Sequence, residues 1–551
     1  MRVWLRSPGP RPGKYRGRLV RLGAGPGAAM LGVFLLALVV RALTALPLEQ
    51  PGYFDAYYYY DVAESLRSGR GFVVDFIWNY LDNPPSVSHP SNLYWMPLPS
   101  ILAYLSFLVF GLSYRASQVP FVILSALPPV LAYYLSHRLF GKPRHGLMAA
   151  LLLIFAGFYL PYWVSPDNFT PFGVTTSFAL LALAWGLEKG KPFYFGLAGL
   201  LLGLSHLTRA DGVLLWVVLG SVLLVAFSQR KANLWGIRGF LLSTLLALGG
   251  YLLIVGPWFY RNWGIVGAPL SGAGTKTLFL RSYDDIFSYA KDLTWQGYLA
   301  WGWGAILASK LRAVTHNGLV LLGALHFYLA PFVAIGGWQA RRRRLYLPFF
   351  LYATLLYLTM TFLFTFPSMR GSMLHSSTAL LPFLFALAPP GIDAFVEFMA
   401  RWRRRWHPPT ARAFFSLGFT GLAILISLFL YSQGVFFSLS PEPILPLWNE
   451  RNKIYIQVAQ SLEGDALVMV VDPPAYYYFN HRPALAIPNE EIEVILEVAH
   501  RYGAEYLILE SDHPSTLSDL YRGEMSHPSL HLQRTVTDPL GDPVMIYRLG
   551  K

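Results

Sequence analysis

Asp55 stands in the segment "FDAYYYYDVAESLRSGRGF", shortly after the first apolar stretch and beside Phe54 and the four tyrosines Tyr57–Tyr60. A carboxylate at a membrane mouth among aromatic rings loses part of its hydration, which raises its pKa and makes it a usable general base. The same position suits an ordinary loop aspartate beside an interfacial aromatic belt, and the segment alone does not separate the two. Asp167, in "SPDNFTPF", has the pattern of a turn and helix N-cap, so capping by itself accounts for it. If Asp55 and Asp167 converge, they share acid/base work or hold a divalent cation such as Mg or Mn, although two carboxylates without a third ligand are a sparse metal pattern. Asp61 and Glu64 share a short amphipathic helix with Ala63 and Leu66 and read as its solvated face.

Arg209, Arg261 and Arg370 each end an apolar block, beside Asp211, Asn262 and His375 respectively. A phosphate leaving group at a membrane surface needs fixed cations of bidentate geometry, which arginine supplies. Snorkelling to lipid headgroups explains any one of the three. Three together on the side that normally lacks positive charge point to phosphate binding, with His375 beside them. Tyr58, His89 and Trp303 are candidate substrate contacts, because aromatic surfaces suit sugar rings as well as the lipid interface.

The elements that carry these residues follow from composition. With 551 residues, 54% of them hydrophobic and 13% charged, the chain has too little polar surface to wrap a soluble core, so most of it lies in lipid. Apolar blocks of about 17 to 23 residues alternate with short basic or Pro/Gly-rich stretches, the length a bilayer demands of a helix. The net charge of +14 sits in short clusters between those blocks, at Arg2–Arg21, Arg138–Arg144, Arg230–Arg238, Arg341–Arg344 and Arg401–Arg405, which is the positive-inside pattern rather than a nucleic-acid surface. Cysteine is absent, which excludes disulfides, thiol nucleophiles and thiolate metal sites. Placing every basic cluster inside puts 47–117, Asp167, Arg209, 261–316, Arg370 and the C-terminus outside. That parity holds only if the block at 95–112 lies in the interface, where Pro97 and Pro99 break its first turn. The expected architecture is an α-helical polytopic membrane protein of about 11 spanning helices plus a juxtamembrane helix. A basic cytoplasmic N-terminus (1–26) precedes the transmembrane region (27–433). A linker at Pro441–Pro446 and a small extracytoplasmic α/β domain follow (434–551), with strands at Leu467–Val471, Tyr506–Leu509 and Val544–Tyr547 and a helix at Glu490–Tyr502 ended by Gly503.

In their order and spacing, "FDAYYYYDVAESLRSGRGF", "HPSNLYWMPLPSILAYLSFLVFG", "GLLLGLSHLTRADG" and "GPWFYRNW" resemble the GT-C superfamily of polyprenyl-phosphate-sugar glycosyltransferases, in particular its protein O-mannosyltransferase and aminoarabinose-transferase branch. The resemblance covers roughly 27–400. It implies a bacterial or archaeal plasma-membrane enzyme that moves a sugar, with inversion, from a polyprenyl phosphate to a hydroxyl of a glycan, lipid or protein acceptor outside the cell. Under it Asp55 becomes the carboxylate that deprotonates the acceptor, Asp167 the second acidic motif, and Arg209, Arg261 and Arg370 the holders of the donor phosphate. The first motif has one Asp followed by Ala where many members show two adjacent acids, and no "WWD" motif is present. A transporter is the alternative from another class, but ionisable residues gather at helix ends rather than mid-membrane and no internal repeat is visible. A non-catalytic membrane scaffold with an outer α/β module is a third reading, and it expects Asp55 and the arginines to be scattered.

Overall fold

The computed structural model describes residues 25–228, 236–403, 406–436 and 448–550; the basic N-terminus, parts of two basic clusters and the Pro441–Pro446 linker lie outside them. Pro26 opens α1 (Pro26–Ala45) in the first turn, where a missing N–H costs nothing. Leu31, Leu35, Val39 and Leu43 stay exposed along α1 as a face for lipid. After α2 (Phe54–Arg67) and α3 (Leu98–Phe110), α4 (Tyr114–Ser125) and α5 (Leu127–Phe140) together make one span of 27 residues. There follow α6 (Pro143–Ile154), α7 (Phe169–Lys189), α8 (Pro192–Thr208), α9 (Leu214–Ser228) and α10 (Ile237–Val266).

Among the described residues, eight helices are long and apolar enough to cross a bilayer, or nine if α6 and the turns up to Val164 count as one bent span. The expected number was about 11, and the difference has identifiable causes. The helix α8 has only 17 residues. The block at 317–338 is broken between Trp303–Ala324 and Ala330–Ala340, where His326 and Phe327 turn the backbone through positive φ. At 13 residues α3 is too short to span, in keeping with an interfacial position for 95–112.

The bend after α6 frees carbonyls that lipid cannot satisfy. Arg41, fully buried on α1, reaches across to donate to the carbonyls of Ile154 at 2.8 Å and Leu153 at 3.3 Å. Ser427 accepts the N–H of Gly157 at 2.9 Å on the far side of the break. The chain can thus turn back and lay Tyr159, Tyr162 and Asp167 beneath the outer loops.

Above the helices lies a six-stranded sheet in the order β2-β5-β4-β6-β8-β7, distinct from the small β1–β3 ladder (Val73–Val74 with His89–Pro90). Its parallel core is β5 (Ala484–Ala486), β4 (Val468–Val470) and β6 (Tyr506–Leu509), and β8 (Pro543–Leu549) and β7 (Leu530–Thr537) continue it antiparallel. The helix Ile492–Tyr502 ends at Gly503, whose φ of 79° supplies the left-handed cap. The outer edge strand, β2 (Phe76–Ile77), comes from the first outer loop and pairs with β5. The sheet therefore crosses the boundary drawn between the transmembrane region and the C-terminal domain.

The same docking corrects the reading of α2. Its outward face is covered by the helix Pro473–Asn480, with Tyr57 and Tyr60 each 5.0 Å from the Tyr478 ring. Asp61 is 2% exposed, and neither of its carboxylate oxygens has a hydrogen-bond partner among the described residues. It is not a solvated residue. The loop's own periodicity cannot report a cover that arrives about four hundred residues later.

Candidate active site

A chamber of about 580 Å³ opens between the membrane helices and the C-terminal domain. Asp55 lines it from the first turn of α2, Arg209 from the end of α8, and Arg370 and His375 from the segment before the helix Leu381–Arg403. Asp167 lies immediately behind the wall, fully buried. Ligating atoms of Asp55, Asp167 and His375 all fall within 4.8 Å of one another.

Each of these residues is positioned by a local device. Asp167 is not a helix N-cap, since α7 has no side-chain cap and one Asp167 oxygen accepts the backbone N–H of Asn168 at 2.5 Å. Its other oxygen accepts the hydroxyl of Tyr53 at 2.7 Å, and Tyr53 is wedged edge-on between Tyr162 and Trp448. Arg209 donates through Nε to Asp211 at 2.9 Å and through Nη1 to the Asn168 side-chain oxygen at 3.2 Å. Ser376 holds the other Asp211 oxygen at 2.5 Å. This turn needs Gly212, because a Cβ there would meet the backbone of Ser205 and His206 at 2.7 Å. Arg370 sits just before Gly371, whose φ of 152° only glycine adopts readily, and its guanidinium lies 5.4 Å over Tyr283. No hydrogen bond ties that guanidinium to another described residue.

Electrostatics divides the roles. Burial, followed by the Asp167 charge, holds the Asp55 carboxyl well above the usual aspartate range, with Arg209 acting in the opposite direction and Asp472 adding to the rise. Asp167 is pushed up to about 6 by burial, against the hydrogen bonds from Tyr53 and Asn168. Burial, with Arg209 nearby, drives His375 far below the ordinary histidine value, so its imidazole is neutral and its 3.9 Å approach to Asp167 is not an ion pair. His375 Nδ1 and Arg209 Nη1 converge on the same Asn168 oxygen, at 2.7 Å and 3.2 Å. Nδ1 therefore carries the proton, and Nε2 keeps the free lone pair.

Four sequence candidates lie elsewhere. Arg261 faces a separate apolar groove between α3, α8 and α10, where it donates to the carbonyls of Ser91 and Phe72 and rests on the Trp258 ring at 4.4 Å. His89 is in β3, its Nδ1 2.8 Å from the Val87 carbonyl. Trp303 is 74% exposed at the start of its helix. Tyr58 is buried, accepts the Asn92 N–H at 2.7 Å, and supports the stacked pair Trp78–Trp95 (4.1 Å) that lines the chamber.

The C-terminal domain also contributes Trp448, Arg451, Tyr455, Asp472 and Glu510 to the chamber; of these only Asp472 lies in a stretch, "VVDPPAYYYFNHRPAL", that the sequence leaves open between packing and acceptor binding. The available signal was position: Glu510 directly follows β6 and Asp472 comes two residues after β4, both at the strands' carboxyl ends.

Comparison with known proteins agrees with this architecture. Residues 88–260 match the sequence model of the family described as dolichyl-phosphate-mannose-protein mannosyltransferase. No protein of curated function matches the chain by sequence. ArnT from Cupriavidus metallidurans, solved with undecaprenyl phosphate bound, superimposes with a TM-score of 0.56 at 13% identity, over 95% of this chain and 98% of that one. The oligosaccharyltransferase of Archaeoglobus fulgidus, solved in complex with Zn and sulfate, superimposes with a TM-score of 0.51 at 14% identity, over 95% of this chain and 73% of that one. The chain is an integral membrane protein of the GT-C fold that carries, over residues 88–260, the sequence pattern of the dolichyl-phosphate-mannose-protein mannosyltransferases.

Proposed function

We propose that the protein is a glycosyltransferase that moves a sugar from a polyprenyl-phosphate donor to a hydroxyl of an extracytoplasmic acceptor. One observation carries the reading: a half-buried carboxylate with a raised pKa, Asp55, shares a membrane-edge chamber with the guanidinium groups of Arg209 and Arg370. The family match over 88–260 and the lipid phosphate held by the similar ArnT support the choice of donor.

In this reading Asp55 accepts the acceptor's hydroxyl proton as that oxygen attacks the anomeric carbon from the face opposite the phosphate. The new C–O bond forms as the bond to the phosphate oxygen breaks, so the anomeric configuration inverts. The leaving phosphate monoester carries away the electron pair. Arg370, whose guanidinium makes no hydrogen bond to another described residue, and Arg209, anchored by Asp211, stabilise the negative charge that develops there. Asp167 acts through Asp55: its charge nearby raises the proton affinity of the base. Arg261, His89 and Trp303 have no part in the step.

Two carboxylates and a neutral imidazole are a donor set that fits a divalent cation, so Asp55, Asp167 and His375 would hold Mg or Mn. Such an ion would supply charge neutralisation for the phosphate. Asp55 has a second oxygen for the acceptor proton.

The test is transfer by purified protein in lipid, with a panel of polyprenyl-phosphate sugars and hydroxyl acceptors. Asp55→Asn should lower donor-dependent transfer by roughly 10²- to 10⁴-fold. Full activity in that variant would reject the assignment.

A further inference from the structure

The C-terminal domain contributes one side of the chamber, and its sheet order explains how. From β4 the chain passes through the helix Pro473–Asn480 to β5 on one side, then through the helix Ile492–Tyr502 to β6 on the other. The first helix packs with Val468, Val470 and Ile508, the second with Met469, Leu507 and Leu509, so the two cover opposite faces of the sheet. Connections that diverge in this way leave a crevice at the carboxyl ends of the two strands, the place where open α/β sheets bind ligands. Here that crevice, between β4 and β6, opens into the chamber that contains Asp55.

Its walls are held in place by hydrogen bonds. Asp472 accepts the N–H of Ala475 at 3.0 Å and the amide of Asn452 at 3.3 Å. Glu510 accepts the Tyr455 hydroxyl at 2.8 Å. The compensating cation is Arg451, whose ion pair is with Asp512 at 3.5 Å. Burial pushes both Asp472 and Glu510 up to about 7. Among the described residues that line the chamber, the domain side sets three carboxyls, Asp472, Glu510 and Asp512, against one arginine, whereas on the membrane-helix side Arg209 and Arg370 stand with Asp55 and Asp284. The half-buried rings of Trp95, backed by the buried Trp78, and of Tyr94 line the same chamber.

We infer that the crevice at the ends of β4 and β6, walled by Asp472, Glu510 and Tyr455, is the acceptor subsite, and that it takes a hydroxyl-rich glycan that is uncharged or cationic. This inference rests on the function proposed above. Carboxyl groups and phenols are the partners that bind vicinal hydroxyls or a sugar amine, and aromatic faces are the partners that stack on pyranose rings. An anionic headgroup would meet the poorly hydrated Asp472 and Glu510, with the exposed Asp512 beside them. The guanidinium groups of Arg370 and Arg209 on the opposite side are the partners that suit the donor phosphate.

The experiment uses the full chain in lipid nanodiscs and measures binding without turnover. The probes are fluorescently labelled trisaccharides of glucosamine (cationic), N-acetylglucosamine (neutral) and galacturonic acid (anionic). Undecaprenyl phosphate binding is followed separately. The cationic and neutral trisaccharides should bind, and the anionic one should bind at least about tenfold more weakly. Asp472→Asn combined with Glu510→Gln should weaken the cationic probe by about tenfold or more and leave undecaprenyl phosphate binding unchanged. Asparagine and glutamine keep the oxygens that Ala475 and Tyr455 use, and the thermal unfolding midpoint reports whether the variant is folded. If it is not, Asp512→Asn alone should still weaken the cationic probe. Equal or tighter binding of the anionic probe, no binding by any of the three, or wild-type binding by the folded variants would overturn the subsite. Loss of undecaprenyl phosphate binding to the wild-type protein would instead count against the proposed donor.

Discussion

At the scale of single residues, the proposed reaction places its proton chemistry on one acid. Asp55 carries a raised pKa because it is desolvated and because Asp167 lies beside it, while Asp167 itself is pushed up to about 6. A base works when it is deprotonated, so kcat/KM should still climb with pH well above about 4, where an exposed aspartate would saturate. Any cation held by the same carboxylates follows the same direction, because their protonation competes with it. Asp167→Asn removes the neighbouring charge, and the rising limb should move to lower pH; an unchanged limb would show that Asp55 does not sense Asp167. Asp55, Asp167 and Arg209 were legible in the sequence because charge is expensive at a membrane edge and stands out against apolar surroundings. Asp472 and Glu510 were not, because acids are common on the surface of a water-soluble domain and only the sheet topology shows where these two face.

At the scale of elements, the site depends on interruptions of helices. The end of α8, the bend after α6 and the turn at Gly371 each interrupt a helix, and each delivers a side chain of the candidate site. Gly212 gives a direct test, since a methyl group would press on the backbone of Ser205 and His206 at 2.7 Å. Gly212→Ala should cost about 1–3 kcal/mol of stability through overpacking. Because the shift displaces Arg209, it should also raise the donor KM more than it lowers kcat. A variant with wild-type thermal stability and donor KM would contradict this account of the turn. The helix Ile492–Tyr502 and the strand β6 were readable from periodicity and from Gly503. The strands β2 and β5, two and three residues long, offer no alternation to read.

At the scale of the molecule, the first outer loop and the C-terminal domain form one structure. The strand β2 joins the domain's sheet, Tyr58 and Trp95 support the chamber from the loop, and Trp448 braces Tyr53 from the far side. The basic clusters imply that this assembly faces outside. The chain contains no cysteine, so a single introduced one reports sidedness without background. Asp465 has an 84% exposed side chain in the C-terminal domain, and Asp465→Cys in intact cells should react with a membrane-impermeant maleimide. Labelling only after lysis would invert the topology and take the extracytoplasmic reaction with it.

The central claim is that a lipid-borne phosphate meets Arg370 and Arg209 opposite Asp55. Its most direct test is a cryo-electron microscopy structure of the full chain in nanodiscs with undecaprenyl phosphate. The phosphate is expected in contact with the Arg370 guanidinium, inside the chamber that Asp55 lines. A phosphate bound instead in the apolar groove at Arg261, with the chamber empty, would contradict the account.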